Sequence, residues 1–466
     1  LVLKSGKTAA GTAASSSHTG ALAGSDAAYR TLFKQAGIIR VDGLESLLAA
    51  LEVFSKNPLP TGKRVAILTN AGGLGVMAAD ACVEQGLELA TLSPTTIESL
   101  KSFLPAAANS HNPIDVLGDA QADRYERAIE IVLADPNTDM LLTIITPQAM
   151  TEALLTAQAI FDARERFPMK PLIVSLSGGA MLEEASVFLK KHAVSALSSP
   201  EAAALALGHL AEVSEARRHF SNTPFVCTDI DTLSARAKVD QVMQEGRTQL
   251  SETECLELLA AYGFRALTQR VTHSAEEALA AAQSIGKPTA LKIISPDITH
   301  KSDAGGVLLH VDPHQAGAAY ETLIATVADR VPEAKIDGAL VVEMAAEGGT
   351  ELILGLKKEP GLGTLVMLGL GGIFVEVFKD VSFRFAESLT REDAAAMLRE
   401  LKGFPLLDGT RGKTGIDKDA LIEAIGRLAR LAVDFPEIAE LDINPLLAFR
   451  DGRDFRVLDA RIRLEK

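Results

Sequence analysis

A strand, a glycine turn and a helix recur through the first half of this chain, and that recurrence restricts the fold more than any single residue does. Arg64 to Cys82 reads RVAILTNAGGLGVMAADAC: an apolar run, a Gly-rich turn, then a run of helical character. Apolar runs return at Met140 to Ile145 and Leu172 to Leu176, each followed by a helix-compatible stretch, and Ser177-Gly178-Gly179 makes a second glycine turn. Such alternation builds a doubly wound α/β sheet. Gly73, Gly75 and Ala78 fit GxGxxA, yet the next strand runs ELATL into Ser93 and Pro94 without a closing acidic residue. Dinucleotide binding is therefore disfavoured, and tight strand-to-helix packing or contact with a non-ribose phosphate is expected.

Ahead of this lies a half-unit of the same kind. Leu1 to Lys4 reads as a strand and Ser5 to Gly24 as a small-residue loop. Ser25 and Asp26 are good caps for a helix whose stripe is Tyr29, Leu32 and Phe33, ended by Gly37. A strand at Ile38 to Val41 and a helix from about Leu44 to Ser55 follow. The opening LVLKSG is strand-like and lacks an initiator Met, so the chain is expected to begin inside a domain whose first half is missing. His18, in SSSHTGALAG, falls between a strand end and a helix start, where open α/β sheets bind ligands. Small neighbours leave its imidazole accessible, and helix N-termini aimed there suit a phosphate. A loop His that only hydrogen-bonds its surroundings is the competing reading. Asn57 to Gly62 reads as a linker, His111 as a turn residue beside Pro113, and the second α/β domain closes near Phe220.

At 466 residues the chain needs about three domains. A net charge of -15 argues against nucleic acid, whose non-specific affinity needs surplus Lys and Arg. Aromatics at 5% and the absence of Trp argue against a base-stacking surface. Cys82, Cys227 and Cys255 are isolated from one another, which implies a reduced, cytoplasmic protein. No apolar run approaches the roughly 20 residues that span a bilayer, so no membrane partner is expected.

The second half changes character. Ser221 to Gln249 reads as an interdomain connector with an acidic TDID run and an amphipathic helix, followed by helices at Glu252 to Ala261 and Ala275 to Ile285. In Ala290 to Val311, ALKIISPDITHKSDAGGVLLHV, two apolar runs flank a polar segment, the pattern of two strands joined by a movable loop. Lys292 sits inside the first run, where an ammonium needs an anionic partner such as a nucleotide phosphate. Gly305 and Gly306 would let backbone approach that phosphate. His300 stands at the loop tip beside Lys301 and Asp303, where a neutral imidazole is a nucleophile. A solvated loop His beside a strand-edge Lys is the plainer alternative.

Helix Gln315 to Arg330 precedes strands at Gly338 to Met344, Glu351 to Leu356, Thr364 to Leu368 and, after GLGG, Phe374 to Val377. A strand near Phe383 to Ala386, two helices, and strands around Leu441 to Ile443 and Phe455 to Leu458 complete an α+β lobe. Glu343, Glu351 and Glu376 sit at strand ends. Asp442 and Asn444, in ELDINPL, fall two apart on one strand face, and such hard oxygen ligands suit Mg²⁺ bridging nucleotide phosphates. An exposed strand edge with a polar turn is the alternative.

On these residues the chain resembles the nucleoside-diphosphate-forming acyl-CoA synthetases, especially fused ADP-forming acetate-CoA ligases, relatives of succinyl-CoA synthetase. The resemblance covers essentially the whole chain. It implies flavodoxin-like, succinyl-CoA synthetase-like domains followed by an ATP-grasp domain. Residues 1–60 would be a partial domain with a phosphohistidine loop, 61–220 a second flavodoxin-like CoA-ligase domain, 221–249 a linker and 250–466 the ATP-grasp domain. SSSHTGALAGSD makes His18 the phosphoryl carrier, and His300 matches a second, relaying histidine. Lys292, Gly305 and Gly306 fall at the nucleotide phosphates. VVEM places Glu343 and Met344 at the nucleotide with Glu351, and ELDINPL supplies the Mg²⁺ ligands Asp442 and Asn444.

The family's CoA-binding Rossmann domain, the first half of its His domain and a Glu that orients the carrier histidine have no counterpart here. The CoA site is therefore expected to be lacking. The resemblance implies interconversion of acyl-CoA, ADP and phosphate with carboxylate, CoA and ATP. Partners would be ATP or ADP, CoA and a small carboxylic acid, in a homo-oligomer or with the missing CoA-binding part. One alternative is the synthetase-like regulatory part of a GNAT-fused protein lysine acetyltransferase, but a sensor needs neither His18 nor His300. Another is an ATP-grasp ligase without phosphohistidine.

Overall fold

The computed structural model describes residues 1–8, 10–11, 25–219, 223–298, 301–346, 348–372, 380–409, 414–450 and 455–465. Contacts divide the chain into two compact units, Leu1–Ser221 and Asn222–Lys466.

Unit 1 opens with two short parallel strands, β1 (Val2–Leu3) and β2 (Arg40–Val41), and helices α1 (Asp26–Gln35) and α2 (Leu44–Lys56). Ser25 accepts the N–H of Ala28, the cap expected there. The main sheet is parallel throughout. Its strands are β3 (Arg64–Thr69), β4 (Glu88–Leu89), β5 (Ile114–Asp115), β6 (Met140–Ile145), β7 (Leu172–Leu176) and β8 (Ser195–Leu197). They run in the order β4-β3-β6-β7-β8, with β5 on the end of β3. Alternate residues of each strand feed opposite cores. Leu68, Leu141 and Val174 pack beneath helices α3 (Ala122–Ala134) and α4 (Ala153–Arg166), whereas Val65, Ile67, Leu142 and Ile173 pack beneath α2, the helix Gly72–Glu84 and α5 (Pro200–His219). The glycine turn after β3 serves close packing: a Cβ on Gly75 would stand 3.0 Å from the Thr69 methyl, and Ala78 is fully buried.

Unit 2 carries two sheets. The first is antiparallel, in the order β11-β10-β12-β9, built from β9 (Gln269–Thr272), β10 (Thr289–Ile294), β11 (Val307–Val311) and β12 (Gly338–Glu343). The second has six antiparallel strands: β13 (Thr350–Glu359), β14 (Gly363–Leu370), β15 (Val381–Phe385), β16 (Ile438–Ala448), β17 (Arg456–Val457) and β18 (Ala460–Leu464). Helices α6 (Thr232–Gln244), α7 (Glu252–Ala261), α8 (Arg391–Glu400) and α9 (Lys418–Asp434) cover one face of it in a single core. The helices Ala275–Ile285 and Ala316–Arg330 cover one face of the smaller sheet.

Three expectations change. The helix expected inside a connector is α6, whose Ala235, Val239 and Val242 are buried in the larger core; its stripe faces protein and not a hinge. Strand β16 is longer than expected and β17 shorter, and a further strand, β18, follows, whose ARIRL alternation puts Ala460, Ile462 and Leu464 in the core. Among the described residues three α-helices rather than two lie between β15 and β16, the extra one being the short Phe404–Asp408. The strand expected at Phe374 to Val377, with Glu376, lies outside the described residues. Among the described residues, no helix is long and apolar enough to cross a membrane.

Candidate active site

Lys292 owes its position to strand alternation. Its neighbours Leu291 and Ile293 are fully buried against the helices of the small sheet, so Lys292 projects from the opposite face. There its Nζ lies 3.4 Å from the carbonyl oxygen of Leu458 and 3.8 Å from Glu252 Oε1. Lys301 pairs with the other oxygen of the same carboxylate. Glu252 is the first residue of α7, held by a capping box in which Ser251 and Glu254 bond each other's backbone N–H. An acid there also favours the helix dipole.

Asp442 and Asn444 lie on the face of β16 turned away from its helices, because Leu441 and Ile443 between and beside them are core residues. The register sets Asp442 opposite Arg461 on β18 and Gly355 on β13. The Asn444 N–H donates to the carbonyl of Asp459 at 3.1 Å. Burial raises the Asp459 carboxyl above the usual carboxylate range and the charge of Glu252 adds to this, while Lys292 and Lys301 pull against it. Burial likewise raises Asp442, against the opposing pull of Arg461. Two poorly compensated carboxyls beside an amide suit a hard cation. Among the described residues, no group of three or more His, Cys, Asp or Glu side chains gathers as a metal cage.

The structure thus brings Lys292, Asp442 and Asn444 into one neighbourhood, joined by Glu252, Lys301 and Asp459. Glu252 and Asp459 are functional groups that no sequence motif singles out. A signal existed for Glu252, since the capping box fixes the first turn of a helix, but nothing local marks Asp459.

The remaining candidates sit differently. Glu343, at the end of β12, bonds Lys287 at 3.0 Å, which lowers its carboxyl below the usual range. Glu343 and Met344 line a cleft of about 1060 Å³ together with Phe264, Lys287, Arg427 and Phe455. That cleft contains neither Lys292 nor Asp442 and Asn444, so volume and charge chemistry point to different places. The convergent charged groups are the better guide, because phosphate recognition needs fixed cations rather than space. Glu351 is exposed on β13, opposite Leu447. The N–H groups of Gly305 and Gly306 donate within their own turn, to Ser302 at 3.0 Å and Lys301 at 2.7 Å. Gly305 has φ +71°, and a Cβ on Gly306 would stand 2.5 Å from Ile293. What these glycines visibly provide is the turn itself, not donors aimed outward. His18 and His300 lie outside the described residues.

Comparison with known proteins places family models along the chain: a succinyl-CoA ligase-like flavodoxin domain at residues 1–54, a ligase-CoA domain at 65–217 and an ATP-grasp domain at 241–464. The chain is 38% identical over 465 residues to an ADP-forming acetate–CoA ligase I of Archaeoglobus fulgidus, covering 99% of this chain and 65% of that protein. It is 38% identical over 470 residues to an ADP-forming 4-hydroxybutyrate–CoA ligase of Nitrosopumilus maritimus, covering 100% of this chain and 66% of that protein. A separate β subunit of ADP-forming acetate–CoA ligase I from Pyrococcus furiosus is 41% identical over 47% of this chain and 93% of its own length. A solved structure of Ca. Korarchaeum cryptofilum dinucleotide forming acetyl-coenzyme A synthetase 1, in complex with coenzyme A, Ca-AMPCP and HgCl+, is 42% identical over 50% of this chain and all of its own, with a TM-score of 0.47. The chain thus spans about two thirds of the full-length curated relatives it matches. None of these relatives is named an acetyltransferase, and the regulatory alternative gains no support.

Proposed function

Because the chain belongs to the ADP-forming acetate–CoA ligase family, we propose that it supplies the nucleotide-binding and phosphoryl-relay parts of an ADP-forming acid–CoA ligase. The reaction converts a carboxylate, CoA and ATP into acyl-CoA, ADP and phosphate, and runs in either direction. The observation that carries this reading is the convergence of Lys292 and Lys301 with Asp459, itself bonded to Asn444 beside Asp442, in the unit matched by the ATP-grasp model.

Lys292 neutralises charge on the nucleotide phosphates, with Lys301 beside it. Asp459, Asn444 and Asp442 would hold Mg²⁺, which when bound would screen the phosphate oxygens against one another. Glu343, Met344 and Glu351 meet the nucleoside end, and Gly305 and Gly306 shape the loop over the phosphates.

In the ATP-forming direction the phosphorus–oxygen bond of an acyl phosphate breaks as a ring nitrogen of His18 attacks, releasing carboxylate. The phosphoryl group then passes to His300 and from there to the terminal oxygen of ADP, each step exchanging one bond to phosphorus for another. Free phosphoryl does not survive transit through water, so covalent carriage on imidazole is required. The acyl group is a small carboxylic acid.

The test is labelling with γ-³²P ATP and Mg²⁺. Acid-labile, base-stable label is expected on the wild-type chain and is expected to vanish in His300→Ala. His18→Ala should retain label only at His300. Label untouched by both substitutions overturns the relay.

A further inference from the structure

Glu252 ties two sheets of unit 2 together from a rigid mount. Its helix α7 buries Cys255, Leu256, Leu258 and Leu259 in the core of the six-stranded sheet. Lys292 and Lys301 both belong to the smaller sheet and the connection that follows β10. Both ammonium groups converge on the one Glu252 carboxylate, and Lys292 also reaches the Leu458 carbonyl next to Asp459.

The pairing is incomplete. Glu252 Oε1 is buried and has no hydrogen-bond partner among the described residues, and its nearest cation, Lys292, stands at 3.8 Å. A half-buried carboxylate with one oxygen left without a hydrogen bond is a poor final partner for two lysines. Asp459 places a second negative charge beside the first. A nucleotide phosphate carries more charge and more acceptor oxygens than a carboxylate, so it competes well for both ammonium groups.

We propose that Glu252 is a positioning residue that occupies Lys292 and Lys301 until nucleotide phosphate replaces its carboxylate. It thereby holds the two ammonium groups against α7 in the nucleotide-free chain and gives them up when nucleotide arrives. The inference rests on the reading of Lys292 as a phosphate ligand.

Calorimetric titration of the full chain with ADP and Mg²⁺ tests this. Glu252→Gln removes the competing charge, and Glu252→Asp keeps the charge but shortens its reach. Both are expected to bind ADP about fivefold tighter than wild type, the size of one exposed-to-half-buried ion pair. A residue of purely structural value could not raise affinity. Unchanged or weaker ADP binding in both variants overturns the proposal, and so does unfolding of both, because Glu252 then serves the fold alone. Lys292→Gln separates the two layers: it is expected to lose at least tenfold in ADP affinity, and wild-type binding there would sink the nucleotide reading itself.

Discussion

The backbone N–H of Asn444 donates to the carbonyl of Asp459 at 3.1 Å, so the polar middle of β16 and the residue leading into β18 are fixed against each other. The backbones that carry two oxygen-bearing side chains are thereby held together before any ligand arrives. Rigid mounting of this kind is what a phosphate-bridging cation site needs, since little ordering is left to be done on binding.

Asp459→Asn should separate stability from binding. Burial raises the wild-type carboxyl, so its charged form destabilises the free fold, and removing the charge should leave the nucleotide-free chain equal or more stable by about 1 kcal/mol. The same substitution should weaken ADP binding in Mg²⁺ by tenfold or more and flatten its dependence on Mg²⁺ concentration. Thermal unfolding and ADP titration over a Mg²⁺ series measure both. A variant with normal Mg²⁺ dependence would remove Asp459 from the site.

Gly305 and Gly306 distinguish a turn from a phosphate cradle. Gly306→Ala drives a methyl towards Ile293 and should cost about 2 kcal/mol through overpacking, whereas Gly305→Ala should cost about 1 kcal/mol through its left-handed backbone. If the glycines chiefly build the turn, ADP affinity in Gly305→Ala should fall no more than twofold while the unfolding midpoint drops. A large affinity loss at unchanged stability would instead assign them to the phosphates.

Glu254 gives the chain an acid-sensitive helix start. Arg247 bonds both of its oxygens, and its carboxyl is lowered to about 2 from an ordinary 4.5, chiefly by those hydrogen bonds. A lowered carboxyl contributes stability that is complete above its unfolded value and is lost as pH falls through the folded one. Allowing for the partly exposed Arg247, the contribution is about 1–2 kcal/mol. Urea unfolding should show wild type losing that much more than Arg247→Ala between pH 6 and pH 2.5. Parallel pH profiles would refute the assignment.

Regular elements were legible where local chemistry alone decides them. Ser251 and Ser274 cap the helices Glu252–Ala261 and Ala275–Ile285, and the unbroken apolar runs at 140–145 and 172–176 are the buried parallel strands. The strand β18 was missed because its alternation lies in a charged ARIRL run whose buried half shows only once β16 is beside it. The α6 helix was misplaced because amphipathicity tells which face is buried but not against what. The site divided the same way. Lys292 stood out as a charge in an apolar run and Asp442 with Asn444 as a same-face pair, whereas Asp459 and Glu252 acquire meaning only from pairing across elements.

Unit 1 offers a test independent of nucleotide. Asp139 is buried just before β6 and accepts from the Arg64 backbone N–H at 3.0 Å, from its guanidinium at 2.8 and 2.9 Å, and from the Thr61 hydroxyl at 3.2 Å. A Cβ on Gly62 would stand 2.2 Å from the same carboxylate, so the chain can reach β3 past Asp139 only with glycine there. Removing the acceptor leaves the Arg64 N–H without its partner, and because the guanidinium is partly exposed and keeps Asn137 and Pro136 as acceptors, Asp139→Ala should cost about 2 kcal/mol. Asp139→Asn keeps the shape and some of the acceptors and should cost about half as much. Hydrogen exchange is the suitable readout, because it reports β3 and β6 directly: amides of residues 64–69 and 140–145 should lose protection in the order wild type, Asp139→Asn, Asp139→Ala. Equal protection in all three would mean that the ion pair only decorates a sheet held by its two apolar cores.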